Sequence, residues 1–216
     1  VVRLVGSEMC IRDSLGTFIL WLGWFGFNGG SQLAMGSAAD IRDISTIYIN
    51  TNLAAAAGVV VALIATQVMY KKVDLTMALN GALGGLVAVT AEPLAPSPAI
   101  AIFVGAVGGL LVVLTVPLLD KLKIDDVVGA IPVHLIAGIW GTIAVIFSNG
   151  DASIATQIIG IVAIGAFVVV TTGIVWTVLK MSIGIRVTEE EEVAGLDQKE
   201  IGMEAYPEFG RGSQTM

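Results

Sequence analysis

Charged residues fall along this chain in tight groups and leave six long uncharged windows, 14–39, 44–70, 75–91, 93–119, 127–150 and 152–179. A helix needs about 20 mostly apolar residues to cross a bilayer, with about 17–25 tolerated. Each window therefore holds one span, and none holds two. The windows lack the ten-residue alternation of a membrane barrel, and a spanning segment must satisfy its own backbone amides. The pattern predicts six transmembrane helices, near 15–33, 45–69, 75–92, 98–119, 127–147 and 154–179.

Composition strengthens the membrane reading. Apolar residues make up 56% of the 216, charged residues 13%, and the mean hydropathy is +0.88; soluble domains carry about 25% charged residues. A disordered chain, a nucleic-acid binder and an ordinary soluble enzyme are excluded. The net charge of −7 also argues against nucleic acid, which needs a basic face. Basic residues cluster after alternate spans: Lys71 and Lys72, Lys121 and Lys123, Lys180 and Arg186, against Arg42 on the other side. Basic flanks favour the cytoplasm, so the C-terminus is expected there.

Two end segments stand apart. Residues 1–14 are mixed, charged, hold the lone Cys10 and resemble no signal peptide; they are read as non-native sequence, with a natural portion expected upstream. The tail 181–216 is acidic, with Glu189–Glu192 in a run and Tyr206, Pro207 and Phe209 as apolar handles. It is either a solvated tail or a docking segment.

A short pattern recurs in the third and fourth spans: Gly81-Ala82-Leu83-Gly84-Gly85-Leu86 and Gly105-Ala106-Val107-Gly108-Gly109-Leu110. Small residues at this spacing let transmembrane helices approach closely, so these helices are expected to pack as a pair. Pro93, Pro96 and Pro98 fall in the loop between them, where missing amides are tolerated.

His134 is the only histidine and lies inside the fifth window. An ionisable residue at membrane depth marks a pathway by default; the alternative is packing against a backbone carbonyl. Small neighbours Ala130, Ala137, Gly138 and Gly141 leave room beside it, and Pro132 predicts a kink. No carboxylate shares its window. A neutral imidazole offers one donor and one acceptor nitrogen, which suits a small polar molecule. Asp125 and Asp126 open the same window and read as helix-capping residues. In the first window Trp24, Phe27 and Ser31 share a helix face. They read as packing, or as a pore mouth where a ring attracts a cation and a hydroxyl accepts from N–H. No metal cluster, phosphate loop or nucleophile–base set is present, so neither cofactor nor metal nor catalytic residue is expected, and the chain is not read as an enzyme.

The succession Trp24-Phe25-Gly26-Phe27-Asn28-Gly29-Gly30-Ser31, Asn50-Thr51, Asp125-Asp126, Pro132-Val133-His134, Gly138-Ile139-Trp140-Gly141, Gly184-Ile185-Arg186-Val187, Glu189-Glu190 and Gly195-Leu196-Asp197 resembles the ammonium transporter family (Amt/MEP/Rh), in its Amt branch. The resemblance covers about residues 15–209. It implies an all-α integral membrane fold, the second five-helix inverted repeat plus the final helix of an eleven-span protein, in a homotrimer of the inner (plasma) membrane. It implies ammonium or ammonia as the transported species, Phe27 and Trp24 as pore residues, Ser31 with Phe27 at the external ammonium site, and His134 as the second of twin pore histidines. Arg186, Glu189, Glu190, Gly195, Leu196 and Asp197 match a cytoplasmic regulatory segment, a possible contact for a signalling protein. Some members carry a phosphorylatable Thr just beyond this segment; here the stretch reads Gln198-Lys199-Glu200. Two alternatives remain at this point: an ammonium sensor of the same family, and an unrelated neutral-solute channel.

Overall fold

The computed structural model describes the backbone of residues 2–204 and the side chains of residues 10–204. The chain divides into two compact units, Leu4–Ile161 and a second whose described part comprises residues 2–3 and 162–204. Among the described residues every regular element is helical: α1 (Val2–Gly29), α2 (Ala38–Tyr70), α3 (Leu75–Thr90), α4 (Pro98–Lys121), α5 (Ala137–Ala144), α6 (Ile154–Ser182) and α7 (Glu189–Ala194).

Local chemistry sets the helix ends, and three differ from the sequence expectation. The expected span near 15–33 is helical from Val2 to Gly29, then tightens into a 3₁₀ turn, Gly30–Gln32, closed by Leu33 at φ 60°. The helix thus continues through residues that read as unrelated sequence. The second span starts at Ala38 rather than near 45, because Ser37 and Asp40 form a reciprocal capping box. The Asp40 N–H donates to the Ser37 hydroxyl at 3.1 Å, and the Ser37 N–H donates to the Asp40 carboxylate at 2.9 Å. That pairing satisfies two amides at the helix start and carries the helix through Asp40, Arg42 and Asp43. The fifth span is helical from Ile131, not 127: Gly129 takes φ +78°, and residues Ile131–Ile136 form a wide π turn before α5. Pro132 has no N–H to give to a regular turn.

Three described helices are long and apolar enough to cross a membrane: Ala38–Tyr70, Pro98–Lys121 and Ile154–Ser182. Leu75–Thr90 and Ile131–Phe147 are shorter apolar helices. The 16 residues of α3 reach only about 24 Å at 1.5 Å per residue, less than a hydrocarbon core of about 30 Å. Half of α3 is buried within its own unit, so it need not match lipid along its length.

Glycines lock the centre of the larger unit. An added Cβ on Gly58 would strike the Gly81 carbonyl of α3, and one on Gly85 would strike the Ala54 carbonyl of α2. On α4, Gly109 would place its Cβ 2.7 Å from the Gly58 Cα, and Gly105 would place its own on the Ala54 carbonyl. Gly108 faces the Gly84 carbonyl of α3 at 2.6 Å in the same sense. Backbone therefore lies directly on backbone among α2, α3 and α4, the approach that small residues allow and larger ones forbid. The pairings 54 with 105 and 58 with 109 rise together, so α2 and α4 run parallel, and α3 packs antiparallel against both. Gly141 sets α5 against the Ala88 carbonyl, and Trp140 donates to the Val104 carbonyl at 2.9 Å. The packing thus extends beyond the expected α3–α4 pair to α2 and α5.

In the second unit, the portion of α6 beyond 162 is apolar on every face, Phe167 to Val170 in succession. Its hydroxyls turn back on their own helix: Thr171, Thr172 and Thr177 donate to the carbonyls of Phe167, Val168 and Gly173 at 2.8, 2.6 and 2.7 Å. This satisfies each hydroxyl where lipid could not.

Gly58→Ala should lower the melting temperature of the detergent-solubilised chain by several degrees, since overpacking costs about 1–3 kcal/mol. Gly23→Ala, whose Cβ meets nothing within 4 Å, should leave it unchanged or raised. Equal effects at the two positions would refute the backbone-contact reading.

Candidate functional site

The site is built on α1, α3 and the wide turn before α5. Thr17, Leu20, Trp24, Phe27 and Ser31 follow one another at three- or four-residue spacing, so they form one row along α1 and its terminal turn. At the lower end of this row a cleft of about 340 Å³ is lined by Arg12, Asp13, Thr17 and Leu20 of α1, Leu79, Asn80 and Leu83 of α3, and Val133 and His134 of the wide turn, so its walls mix apolar with polar and charged groups. His134 is exposed, not sealed by its own unit. The π geometry is local: the Val133 N–H reaches the Gly129 carbonyl at 3.1 Å, while the Ala137 N–H reaches back five residues to Pro132. Single π turns recur at functional sites. Gly129 and Pro132 were the available sequence signals for this one.

Trp24 is partly buried, and its indole N–H donates to the Thr90 hydroxyl at 2.7 Å. Thr90 in turn donates to the Leu86 carbonyl at 2.6 Å. The indole is thereby fixed to α3, with the Phe27 ring 5.9 Å away at 58°. Phe27 is 67% exposed, and Ser31, in the 3₁₀ turn, is exposed as well.

Sequence reasoning gave no role to Thr90, nor to the polar lock behind the row. Asn28 is fully buried beside Phe27, and its amide donates to the Thr51 hydroxyl of α2 at 3.0 Å. Asn50, also fully buried, donates to the Pro93 and Pro96 carbonyls at 3.1 and 2.7 Å and pins the α3–α4 loop. Buried polar groups at neighbouring positions 50 and 51 of an apolar helix were the signal.

Asp126 accepts from the Ala130 and Ile131 amides at 2.9 and 2.8 Å, later in the chain than a helix from 127 would place its cap. Asp125 is exposed. In the tail, Arg186 pairs with Glu192 at 3.1 Å. Glu189 and Glu190 open α7 and are exposed, Gly195 ends it at φ +103°, Leu196 is exposed, and the Asp197 carboxylate accepts from the Gln198 amide at 2.9 Å. Thr188 caps α7. Its amide N–H and then its hydroxyl donate to Glu191 and hold that carboxyl below its usual range, with Lys199 adding attraction. Tyr206, Pro207 and Phe209 lie outside the described residues.

Apolar helices packed through backbone contacts, with an aromatic and hydroxyl row leading to a histidine cleft, define an all-helical integral membrane protein. The profile described as Ammonium Transporter Family matches residues 10–206, and the chain belongs to that family. It is 41% identical to the ammonium transporter Amt2 of Archaeoglobus fulgidus, over 90% of this chain and 45% of that protein. A solved structure described as a sensor Amt protein superposes with a TM-score of 0.80 at 34% identity, covering 87% of this chain and 48% of that one. Candida albicans Mep2 superposes at 0.75 with 26% identity, covering 94% and 49%. The chain thus spans about half the length of the relatives it matches.

Thr90→Val removes the acceptor of the Trp24 N–H, and should destabilise the chain by about 1 kcal/mol and shift the Trp24 indole N–H resonance. An unmoved resonance would show that Thr90 does not hold the ring. The lowered Glu191 carboxyl stabilises the α7 cap above the ordinary carboxylate range, and this contribution disappears as pH falls through the depressed value. In Thr188→Ala, which removes the hydroxyl but keeps the amide N–H, an NMR titration should find Glu191 protonating at higher pH; an unchanged titration would disprove the hydroxyl's part in the cap.

Proposed function

We propose that this chain forms one half of a pathway for ammonium and ammonia across the inner (plasma) membrane, working by transport and not by catalysis. One observation carries the reading: His134 opens into a cleft at the foot of a single row on α1 that leads through Leu20, Trp24 and Phe27 to Ser31. Aromatic faces and the Ser31 hydroxyl suit recruitment of a cation with N–H donors. Carrying the bare ion into hydrocarbon costs on the order of 20 kcal/mol by an idealised Born estimate. An apolar passage therefore favours the neutral molecule, with the proton left near the mouth and the His134 imidazole offering a donor and an acceptor along the way. In this reading Phe27, whose ring is exposed, acts as the gate. In this reading the protein is a homotrimer, the C-terminus is cytoplasmic, and the segment Arg186–Asp197 meets a signalling protein there.

The likeness to a structure described as a sensor Amt protein favours a second reading, ammonium sensing by the same site. Growth of transport-deficient cells on limiting ammonium separates the two: rescue supports transport, and binding without rescue supports sensing.

The working test joins residues 15–204 to the N-terminal half of the Archaeoglobus relative and measures methylammonium uptake in proteoliposomes. His134→Ala should reduce uptake about tenfold or more, the worth of one lost hydrogen bond along the path. Phe27→Ala should alter the ratio of methylammonium to ammonium transport. Wild-type uptake and selectivity in both variants would overturn the assignment.

A further inference from the structure

Three asparagines in this chain precede a glycine: Asn28-Gly29, Asn80-Gly81 and Asn149-Gly150. Such a pair can cyclise, because the glycine nitrogen, with no Cβ beside it, can swing onto the side-chain amide carbon. The fold treats the three pairs differently.

Two are withheld from reaction. Gly29 and Gly81 lie inside α1 and α3, where the backbone N–H is engaged in the helical ladder. Asn28 is fully buried, with its amide on the Thr51 hydroxyl. Gly81 is wedged in place: an added Cβ would come within 2.6 Å of the Ala62 side chain and 2.7 Å of the Gly58 carbonyl.

The third pair is open. Asn149 lies in the connection between the 3₁₀ turn Val145–Phe147 and α6. The Gly150 N–H has no hydrogen-bond partner among the described residues. Gly150 is exposed, and its Cβ position meets nothing within 4 Å, so its peptide unit is free to rotate. The Asn149 side chain is held instead: its amide donates to the Glu92 carboxylate at 3.1 Å, and its Oδ1 accepts from the Asp151 N–H at 3.0 Å, an Asx turn. The Asp151 N–H polarises the amide carbonyl and stabilises the oxyanion that forms when Cγ is attacked, as donors of an oxyanion hole do. Asn149 also borders an open cleft of about 430 Å³ with Asp151, Thr156 and Gln157, which admits water.

We propose that Asn149 is a site of spontaneous deamidation. The Gly150 nitrogen gives its proton to hydroxide and bonds to Asn149 Cγ. The Cγ–Nδ2 bond breaks, and Nδ2 takes a proton from water and leaves as ammonia. Water then opens the resulting five-membered imide at either carbonyl, leaving aspartate or isoaspartate at position 149; nothing is oxidised or reduced. The product cannot donate to Glu92 and sets a second carboxylate against it, with Asp151 adjacent. Like charges replace a hydrogen bond, and the connection loses its tie to the end of α3. The site is independent of the transport pathway and of His134.

Peptide mapping by mass spectrometry of the folded full chain, aged in detergent at mildly alkaline pH, tests it, with isoaspartate counted by enzymatic methylation. The peptide holding Asn149 should convert progressively while those holding Asn28 and Asn80 keep their amides; in chain unfolded by urea all three should convert. Gly150→Ala, whose Cβ enters open space, should suppress conversion with unchanged circular dichroism. Asn149→Asp, which fixes one product, should lower the melting temperature by about 2–4 °C, as expected for one lost hydrogen bond in a chain of this length. An intact Asn149 in folded chain under conditions where the unfolded chain reacts there would overturn the proposal. So would conversion of Asn28 or Asn80 in folded chain as fast as that of Asn149, or undiminished conversion in Gly150→Ala. An unchanged melting temperature in Asn149→Asp would overturn the consequence drawn for Glu92.

Discussion

Direct contact of backbone with backbone at the crossing of α2, α3 and α4 is the constraint on which the rest of this structure depends. Gly58, Gly81, Gly85, Gly105 and Gly109 sit where any side chain would meet a carbonyl or Cα of the facing helix. In lipid, apolar side chains gain little by leaving one solvent for another like it, so helix association rests on close van der Waals packing. Glycine loses roughly 1 kcal/mol of helix propensity against alanine, and the close approach it permits offsets that loss along three interfaces at once. The same contacts fix which helices run parallel, which is why the basic ends of α2 and α4 coincide.

From this centre the polar chemistry is placed by a few hydrogen bonds. Asn28 ties α1 to Thr51 of α2, and Trp24 ties α1 to Thr90 of α3. Two bonds at different heights and to different helices fix the rotation of α1, so the row through Trp24, Phe27 and Ser31 presents one defined face. Asn50 does the same for the proline loop, donating to the carbonyls of Pro93 and Pro96. The Oδ1 atoms of Asn28 and Asn50 are buried without a partner among the described residues, a cost that fits residues kept for position more than for stability.

Much of the fold was legible because lipid imposes a coarse rule: uncharged windows of sufficient length become helices, and among the described residues five of the six windows correspond in order to apolar helices, three of membrane length and two shorter, while the first lies largely within α1. The boundaries were less legible. Charge placement put the start of α2 near 45, since Asp40, Arg42 and Asp43 read as loop; the Ser37–Asp40 capping box, a local hydrogen-bond arrangement, overrode that reading. The wide turn at His134 escaped for a related reason. Pro132 signals a defect in a helix but not which defect, and a kink and a π turn begin from the same missing N–H. The repeated glycine pattern suggested that α3 and α4 pack together, but their contacts with α2 run through Ala54 and Gly58, which belong to no repeat. The row on α1 could be read from spacing alone, whereas its partners Thr51 and Thr90 are distant in sequence and come together only through tertiary packing.

The direction in which His134 faces, once the other half of the fold is in place, decides between a conducting histidine and a packing one. Electron cryo-microscopy of the chimera in lipid nanodiscs, at a resolution that defines side chains, measures it directly. The expected result is an imidazole bordering a lumen that continues past Trp24 and Phe27 to Ser31. A ring turned to lipid, or enclosed by apolar side chains with no opening toward Phe27, would contradict the pathway described here.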